Sequence, residues 1–186
     1  MNSELSELGF DAVEDWSVED FYTFFHQLNI LYNRLSVLDD IRLKQRKVKL
    51  KSAFSSSLSK IQPQESLKVK SIEIHSPGDF NLLGVDKIIG QIRELIKDFT
   101  YRNKLDHQEK EEALRQQKEM NNLKTVEGKQ KILANQICIM KSLGYDQEEI
   151  EIGIKALADP LFHIEEISSR KNVTLKSPNK QSKADA

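Results

Sequence analysis

The chain has 186 residues, of which 38% are hydrophobic and 31% are charged, and its formal net charge is −1. This balance is too apolar for a disordered chain but lean for a compact sphere, so it predicts a small core with an exposed extension. The near-zero net charge excludes a general attraction to nucleic acid or to anionic membranes.

The cellular compartment is predicted from the cysteine content and from the lack of a signal-peptide pattern and of a membrane-crossing apolar run. The single cysteine, Cys138, excludes an intramolecular disulfide and favours a reducing compartment. The acidic amino terminus differs from a signal peptide, and every apolar run is shorter than the roughly 18 residues that cross a membrane. We therefore expect a cytoplasmic protein without membrane partners.

Residues 1–16 are predicted to form an acidic arm. Residues 1–20 contain seven acidic and no basic side chains, whereas residues 42–70 contain nine basic side chains and one acidic side chain. Attraction between these two segments, within one chain or between two chains, is the simplest interpretation of this separation.

Residues 17–99 are predicted to form an α+β core that begins with a helix over residues 18–38. Ser17 suits the N-cap, and Glu19 and Asp20 suit the first turn, where carboxylates complement the helix dipole. Apolar side chains then recur at steps of three and four residues over a wide face. We expect this face to be buried on two sides, against the long helix predicted from residue 85 onward and against either a sheet or a second chain.

Three strands are predicted at about 46–54, 67–75 and 79–84, where apolar and polar residues alternate. The alternation changes parity near Ser71, which indicates either a β-bulge at Ser71 or burial of the two faces in turn. Pro77 followed by Gly78 is typical of a type II turn, because proline fixes φ and glycine accepts a positive φ. These patterns predict a small antiparallel hairpin or meander with a structural turn at Pro77 and Gly78.

A long helix is predicted from Val85 to Leu143, a range without proline. An apolar stripe marks its start, and residues 100–143 form a charged, coiled-coil-like segment that becomes apolar again near its end. Unbroken, this helix would be about 90 Å long at 1.5 Å per residue. Gly128 offers an alternative, since a reversal of the chain there would produce a helical hairpin instead.

The last part of the chain is predicted to contain short helices over residues 145–168 and a disordered basic tail over residues 169–186. Gly144 suits a helix C-cap, and Asp146 suits the N-cap of the next helix. Pro160 is expected to stop or restart that helix. The segment Val173–Leu175 remains open as a short edge strand.

The predicted fold class is α+β and mostly α, with an N-terminal amphipathic helix and a small hairpin packed on a long helix that is straight or kinked. Its apolar residues exceed what one small core can cover, and such a surplus is normally buried by another chain. The predicted self-association or partner-binding residues are Phe24, Leu31, Leu38, Ile89, Ile96, Ile132, Leu133, Ile137 and Met140.

The predicted function is that of a non-catalytic scaffold or adaptor that oligomerises or binds another protein. The sequence lacks a phosphate-binding glycine loop and a Cys/His metal spacing, so no enzyme activity, cofactor, metal or small-molecule substrate is expected. One alternative is an accessory module that binds nucleic acid through a basic patch. This patch consists of Arg42, Lys44, Arg46, Lys47, Lys49 and Lys51. A second alternative is a regulatory subunit or inhibitor of a separate bacterial enzyme of the toxin or defence type.

Overall fold

The computed structural model describes residues 4–55, 66–73, 77–98 and 131–177, with the side chains of residues 131 and 132 excepted. The described part has an α+β fold, as predicted, with helices packed on a four-stranded antiparallel sheet. In chain order the elements are β1 (Leu5–Ala12), α1 (Val18–Lys44), α2 (Leu50–Ser55), β2 (Lys68–Glu73), β3 (Gly78–Val85), α3 (residues 86–98), α4 (Lys131–Ser142), α5 (Gln147–Arg170) and β4 (Thr174–Leu175).

The predicted acidic arm contains a central strand of the sheet. The strand order is β2-β3-β1-β4, so β1 is paired on both sides. Leu8, Phe10 and Ala12 are buried in the core, whereas Glu7 and Asp11 occupy alternate positions. The prediction of a loosely held arm over residues 1–16 is therefore wrong for residues 5–12, because the acidic residues occupy the outward positions of an amphipathic strand.

Helix α1 begins as predicted and runs six residues further than predicted. The hydroxyl oxygen of Ser17 accepts a hydrogen bond from the N–H of Asp20 at 3.1 Å, which confirms the N-cap. The additional residues are held by the buried Ile41 and by an ion pair of 2.8 Å between Arg42 and Asp39. The helix ends at Gln45, whose φ is 47°.

The strand predicted at about 46–54 is wrong, because the chain forms the short helix α2 there. Leu50 and Phe54 are both buried. Their separation of four residues puts them on one side of a strand and equally on one side of a helix. In so short a segment, periodicity alone does not distinguish a strand from a helix.

The predicted β-hairpin is confirmed, since β2 and β3 are antiparallel neighbours. Their register shifts between Val69 and Ser71, which confirms the predicted bulge. Pro77 lies in a bend and Gly78 is the first residue of β3, paired with Ala12. Residue 76 lies outside the described residues, so the type II turn stays a prediction.

Helices α3 and α4 lie side by side. The side-chain amide of Gln136 donates to that of Gln91 at 3.3 Å, although 45 residues would separate them by about 68 Å in a straight helix. The straight form of the predicted helix is therefore wrong, because α3 and α4 are in contact. Gly128 and the charged residues 100–130 lie outside the described residues.

The turn between α4 and α5 follows the predicted capping signals. Gly144 has a φ of +77°. Its N–H donates to the carbonyl of Lys141, and the N–H of Tyr145 donates to the carbonyl of Met140. These two bonds form a Schellman motif. Asp146 and Glu149 form a reciprocal capping box at the start of α5.

The two predictions that follow Asp146 are wrong. Pro160 lies inside α5, which continues to Arg170 without stopping, so the predicted short helices are one helix. The predicted disordered tail is also wrong for residues 169–177, since β4 pairs with Phe10 and Asp11 and Val173 is buried. The edge strand considered at Val173–Leu175 is confirmed, since β4 spans Thr174–Leu175 at the edge of the sheet. Residues 178–186 lie outside the described part.

The core lies between α1 and the inner face of the sheet. Aromatic rings meet edge to face there, with ring centroids 5.2 Å apart for Phe10 and Phe24 and 5.1 Å apart for Trp16 and Phe80. At the junction of β3 and α3, the hydroxyl of Tyr32 accepts a hydrogen bond from the N–H of Val85 at 2.9 Å. Helix α5 packs along the other side of α1.

Candidate functional site

Most of the predicted partner-binding residues lie in the core of a single chain. The buried ones are Phe24, Leu31, Leu38, Ile89, Ile96 and Met140. Leu133 and Ile137 are half-buried against the same core, and the side chain of Ile132 lies outside the described part. The prediction of surplus apolar surface at these buried positions is wrong, because the sheet and α5 together supply the two sides that α1 buries.

The predicted nucleic-acid patch does not lie on a strand face. It follows the last turn of α1 and extends to α2, and half of it forms ion pairs within the chain. Lys44 pairs with Asp40 at 2.8 Å, and Lys47 pairs with Glu149 at 2.6 Å. The remaining basic side chains, Arg46, Lys49 and Lys51, are exposed.

Tyr145 anchors the connection between α1 and α2. Its hydroxyl accepts from the N–H of Val48 at 3.0 Å and donates to the carbonyl of Val48 at 2.9 Å. The ammonium of Lys47 lies 5.1 Å from the centroid of the Tyr145 ring, and its hydrogen bond to Glu149 raises its pKa above the ordinary value. Lys47 therefore serves internal contacts, so the exposed basic set is smaller than the sequence predicted.

The outer face of the sheet presents the residues that alternate with the core positions. The rings of Phe10 and Phe80 contact α1, and Ile89 lies close to Gly84. These three strand residues therefore face the inner side of the sheet. Strand alternation therefore puts Glu7, Asp11 and their cross-strand partners on the other face. Three acids of this face pair with two lysines, since Glu7 pairs with Lys70 at 2.7 Å and Lys176 lies between Asp11 and Asp79.

One end of this outer face is apolar. Leu5 pairs directly with Val85 across β1 and β3, and Leu83 lies two residues from Val85 on the same face. Leu5 is 49% exposed and Leu83 is half-buried outside the core cluster, whereas Val85 is half-buried and also packs against the core. We call these three residues the outer apolar patch. Charged residues of both signs adjoin it, namely Glu4, Glu7 and Lys68.

This patch was not predicted from the sequence, because residues 5–12 were expected to belong to an acidic arm and not to a strand. The alternation of Leu8, Phe10 and Ala12 with acidic and small residues was the signal that identifies β1. Without β1, the outward residues of β3 had no cross-strand partners and no shared face.

None of the helices described is long and apolar enough to cross a membrane. Within the described ranges, no group of three or more His, Cys, Asp or Glu side chains is arranged to hold a metal ion.

Comparisons with protein-family models, with curated proteins and with solved structures found no match to this chain.

Proposed function

We propose that this chain is a non-catalytic interaction module that self-associates through the outer apolar patch. The observation that carries the proposal is the 49% exposure of Leu5 at the end of the sheet, where it pairs with Val85 and lies on the same face as Leu83. Apolar side chains that remain open to water on a sheet face gain free energy when another chain covers them.

A second copy of the same chain is the partner that this surface suits. A two-fold interface brings the same patch of both protomers together, so its rim must complement itself. The rim carries both signs of charge, because Glu7 pairs with Lys70 within the chain and Lys68 lies opposite Leu83. A second copy of the patch therefore meets a rim of mixed charge rather than one of like charge.

Light scattering coupled to gel filtration tests the proposal over a range of protein concentrations. We expect a mass that is a multiple of 21.5 kDa for the wild type and a shift toward 21.5 kDa for Leu5→Asp. Val18→Asp is the matched control, because Val18 is 87% exposed on α1 and lies away from the outer face. A wild type of 21.5 kDa at every concentration would exclude self-association, and an oligomer that Leu5→Asp leaves intact would exclude this surface.

A second candidate function is nucleic-acid binding through Arg46, Lys49 and Lys51. These three side chains are exposed and, within the described ranges, form no ion pair, so their charges are open to phosphates. We expect a salt-sensitive gel shift that the triple substitution to Gln removes and that Lys44→Gln, at a lysine already paired with Asp40, retains. The absence of any shift at low ionic strength would end this candidate. Regulation of a separate enzyme stays a prediction.

A further inference from the structure

A polar cleft lies where the last turns of α1, the first turns of α3 and helix α4 meet. Its volume is about 250 Å³, and Leu38 and Ile139 form its apolar walls. The remaining lining is polar and comprises Asp39, Arg42, Lys87, Gln91, Asn135 and Gln136. The cleft requires α3 and α4 to lie next to each other, so a straight helix through both segments would not have formed it.

Charge in the cleft is unbalanced. Asp39 accepts hydrogen bonds from Arg42 Nε at 3.0 Å and Nη2 at 2.8 Å, and it also pairs with the ammonium of Lys87. Among the described residues that line the cleft, two cations therefore share one carboxylate, which gives these residues a net charge of +1. The bonds to Asp39 use Nε and Nη2, so the Nη1 group of Arg42 and two protons of Lys87 remain available to another acceptor. One further anionic group would complete the neutralisation of this cluster.

Carboxamides provide the second part of the site. Gln136 is only 4% exposed, and its Nε2 donates to Oε1 of Gln91 at 3.3 Å. Burial of a polar amide costs free energy unless its groups find partners. Together with Asn135, these amides offer both donors and acceptors along one wall of the cleft.

The size of the cleft limits the ligand. The volume of the cleft is about 250 Å³. Pockets for drug-sized molecules usually measure about 300–1,000 Å³ and have mostly apolar walls. The cleft is therefore too small and too polar for a large or purely apolar ligand, and its net positive charge disfavours a cation.

We propose that this cleft binds a small organic anion, either a carboxylate or a phosphate monoester. Arg42 and Lys87 hold the anionic group, and Gln91, Asn135 and Gln136 bind the polar remainder of the molecule. The proposal is independent of the interaction function, since the outer apolar patch lies on the sheet and the cleft lies among the helices. It revises the sequence-based expectation that no small molecule binds.

Nuclear magnetic resonance of the side-chain amides tests this proposal, with inorganic phosphate and malonate as separate probes. We expect saturable shifts of the Gln91, Asn135 and Gln136 amide signals at constant ionic strength. Affinity falls by about tenfold or more in Arg42→Gln and in Lys87→Gln, because each variant removes a charge-assisted contact. Lys44→Gln is the matched control, since Lys44 is on the same helix as Arg42 but pairs with Asp40 outside the cleft.

The outcomes separate the two ligand classes from a purely structural ion-pair cluster. Saturation by phosphate alone assigns a phosphate monoester, and saturation by malonate alone assigns a carboxylate. The proposal is overturned by shifts that sodium chloride reproduces, by wild-type signals that do not move, or by equal titration of wild type and Lys87→Gln. Lys87 is a half-exposed residue of the first turn of α3, so its substitution decides the test even where Arg42→Gln fails to fold.

Discussion

Nη1 of Arg34 on α1 donates a hydrogen bond to the main-chain carbonyl of Ala156 on α5. In a regular helix that carbonyl would accept from the N–H of residue 160, which is a proline and has none. Arg34 therefore satisfies the acceptor that Pro160 leaves without a helical donor. Burial lowers the pKa of Arg34, and the charge of Asp159 acts in the opposite direction. The guanidinium stays charged, as arginine does in proteins. This contact explains how α5 continues through a buried proline while it packs on α1.

Arg34→Met is expected to lower the free energy of unfolding by about 1.5–3 kcal/mol, because it removes a hydrogen bond from a charged donor to a half-buried carbonyl. In a Pro160→Ala background the same change should cost less, since the substituted alanine supplies the helical N–H that proline lacks. Urea denaturation of the four proteins in this double-mutant cycle measures the coupling. Equal costs in both backgrounds would contradict the role assigned to Arg34.

Gly84→Ala is expected to destabilise the protein by about 1–3 kcal/mol through overpacking. A Cβ at this position would lie 2.6 Å from Cε2 of Tyr32 and 3.0 Å from Cδ1 of Ile89. Tyr32 has little freedom to move, because its hydroxyl is bonded to the N–H of Val85. The matched control is Gly90→Ala, where a Cβ meets no atom within 4 Å.

Gly90→Ala should instead stabilise the protein by about 0.5–1 kcal/mol, because glycine inside a helix loses more backbone entropy on folding than alanine does. Thermal unfolding of both variants compares the two effects directly. Destabilisation by both substitutions to the same extent would show that the close approach at Gly84 is not the cause.

Arg93→Gln is expected to lower the free energy of unfolding by about 1.5–3 kcal/mol and to loosen β4. Arg93 is 9% exposed, and its guanidinium donates to the carbonyls of Glu7 and Lys176, the latter at 2.8 Å. It thereby supplies hydrogen bonds where β4 is too short to pair with the rest of β1. Desolvation lowers the pKa of Arg93, and the charges of Glu7 and Asp86 act in the opposite direction.

Hydrogen exchange measures this effect locally. The amide of Lys176, which donates to the carbonyl of Gly9 at 2.9 Å, should lose protection more than amides of β3. Arg93→Lys should restore little of it, because an ammonium cannot reproduce the fork that bonds both carbonyls. Uniform loss of protection across the whole sheet would contradict the local role.

Asp20 is expected to make stability depend on acid pH. The hydrogen bond from Ser17 lowers the pKa of its carboxyl, burial raises it, and a hydrogen bond from Lys171 and the charges of Arg170 and Lys171 lower it further. Because the pKa is lower in the folded state, the stabilisation is complete above the unfolded pKa of about 3.9 and is lost as pH falls through the folded value.

Asp20→Asn should therefore lower Tm at about pH 5, above the unfolded pKa, and have a smaller effect at strongly acidic pH, where the wild-type carboxyl is itself protonated. Thermal unfolding as a function of pH checks this prediction. Glu19→Gln is the control, because Glu19 is a neighbouring exposed acid of the same turn. A Tm difference between wild type and Asp20→Asn that stays constant with pH would contradict the assignment.

The local features that the sequence predicted correctly depend on interactions between residues close together in the chain. The N-cap at Ser17, the capping box at Asp146 and the Schellman motif at Gly144 are formed by residues three to five positions apart. The bulge before Ser71 was visible as a change in alternation. Such signals can be read from the sequence because the partner group is always at a fixed distance along it.

The tertiary structure decided which neighbours those elements have. Pro160 stays helical because Arg34, more than 120 residues away in the sequence, bonds the free carbonyl. Residues 5–12 become a central strand because β3 and β4 pair with both of its edges, and Met140 becomes core because it lies against Gly153 of α5. The sequence by itself determined the apolar positions and the caps. Which apolar face was buried in the core, and where the polar cleft formed, depended on contacts between distant segments whose pairing no local pattern encodes.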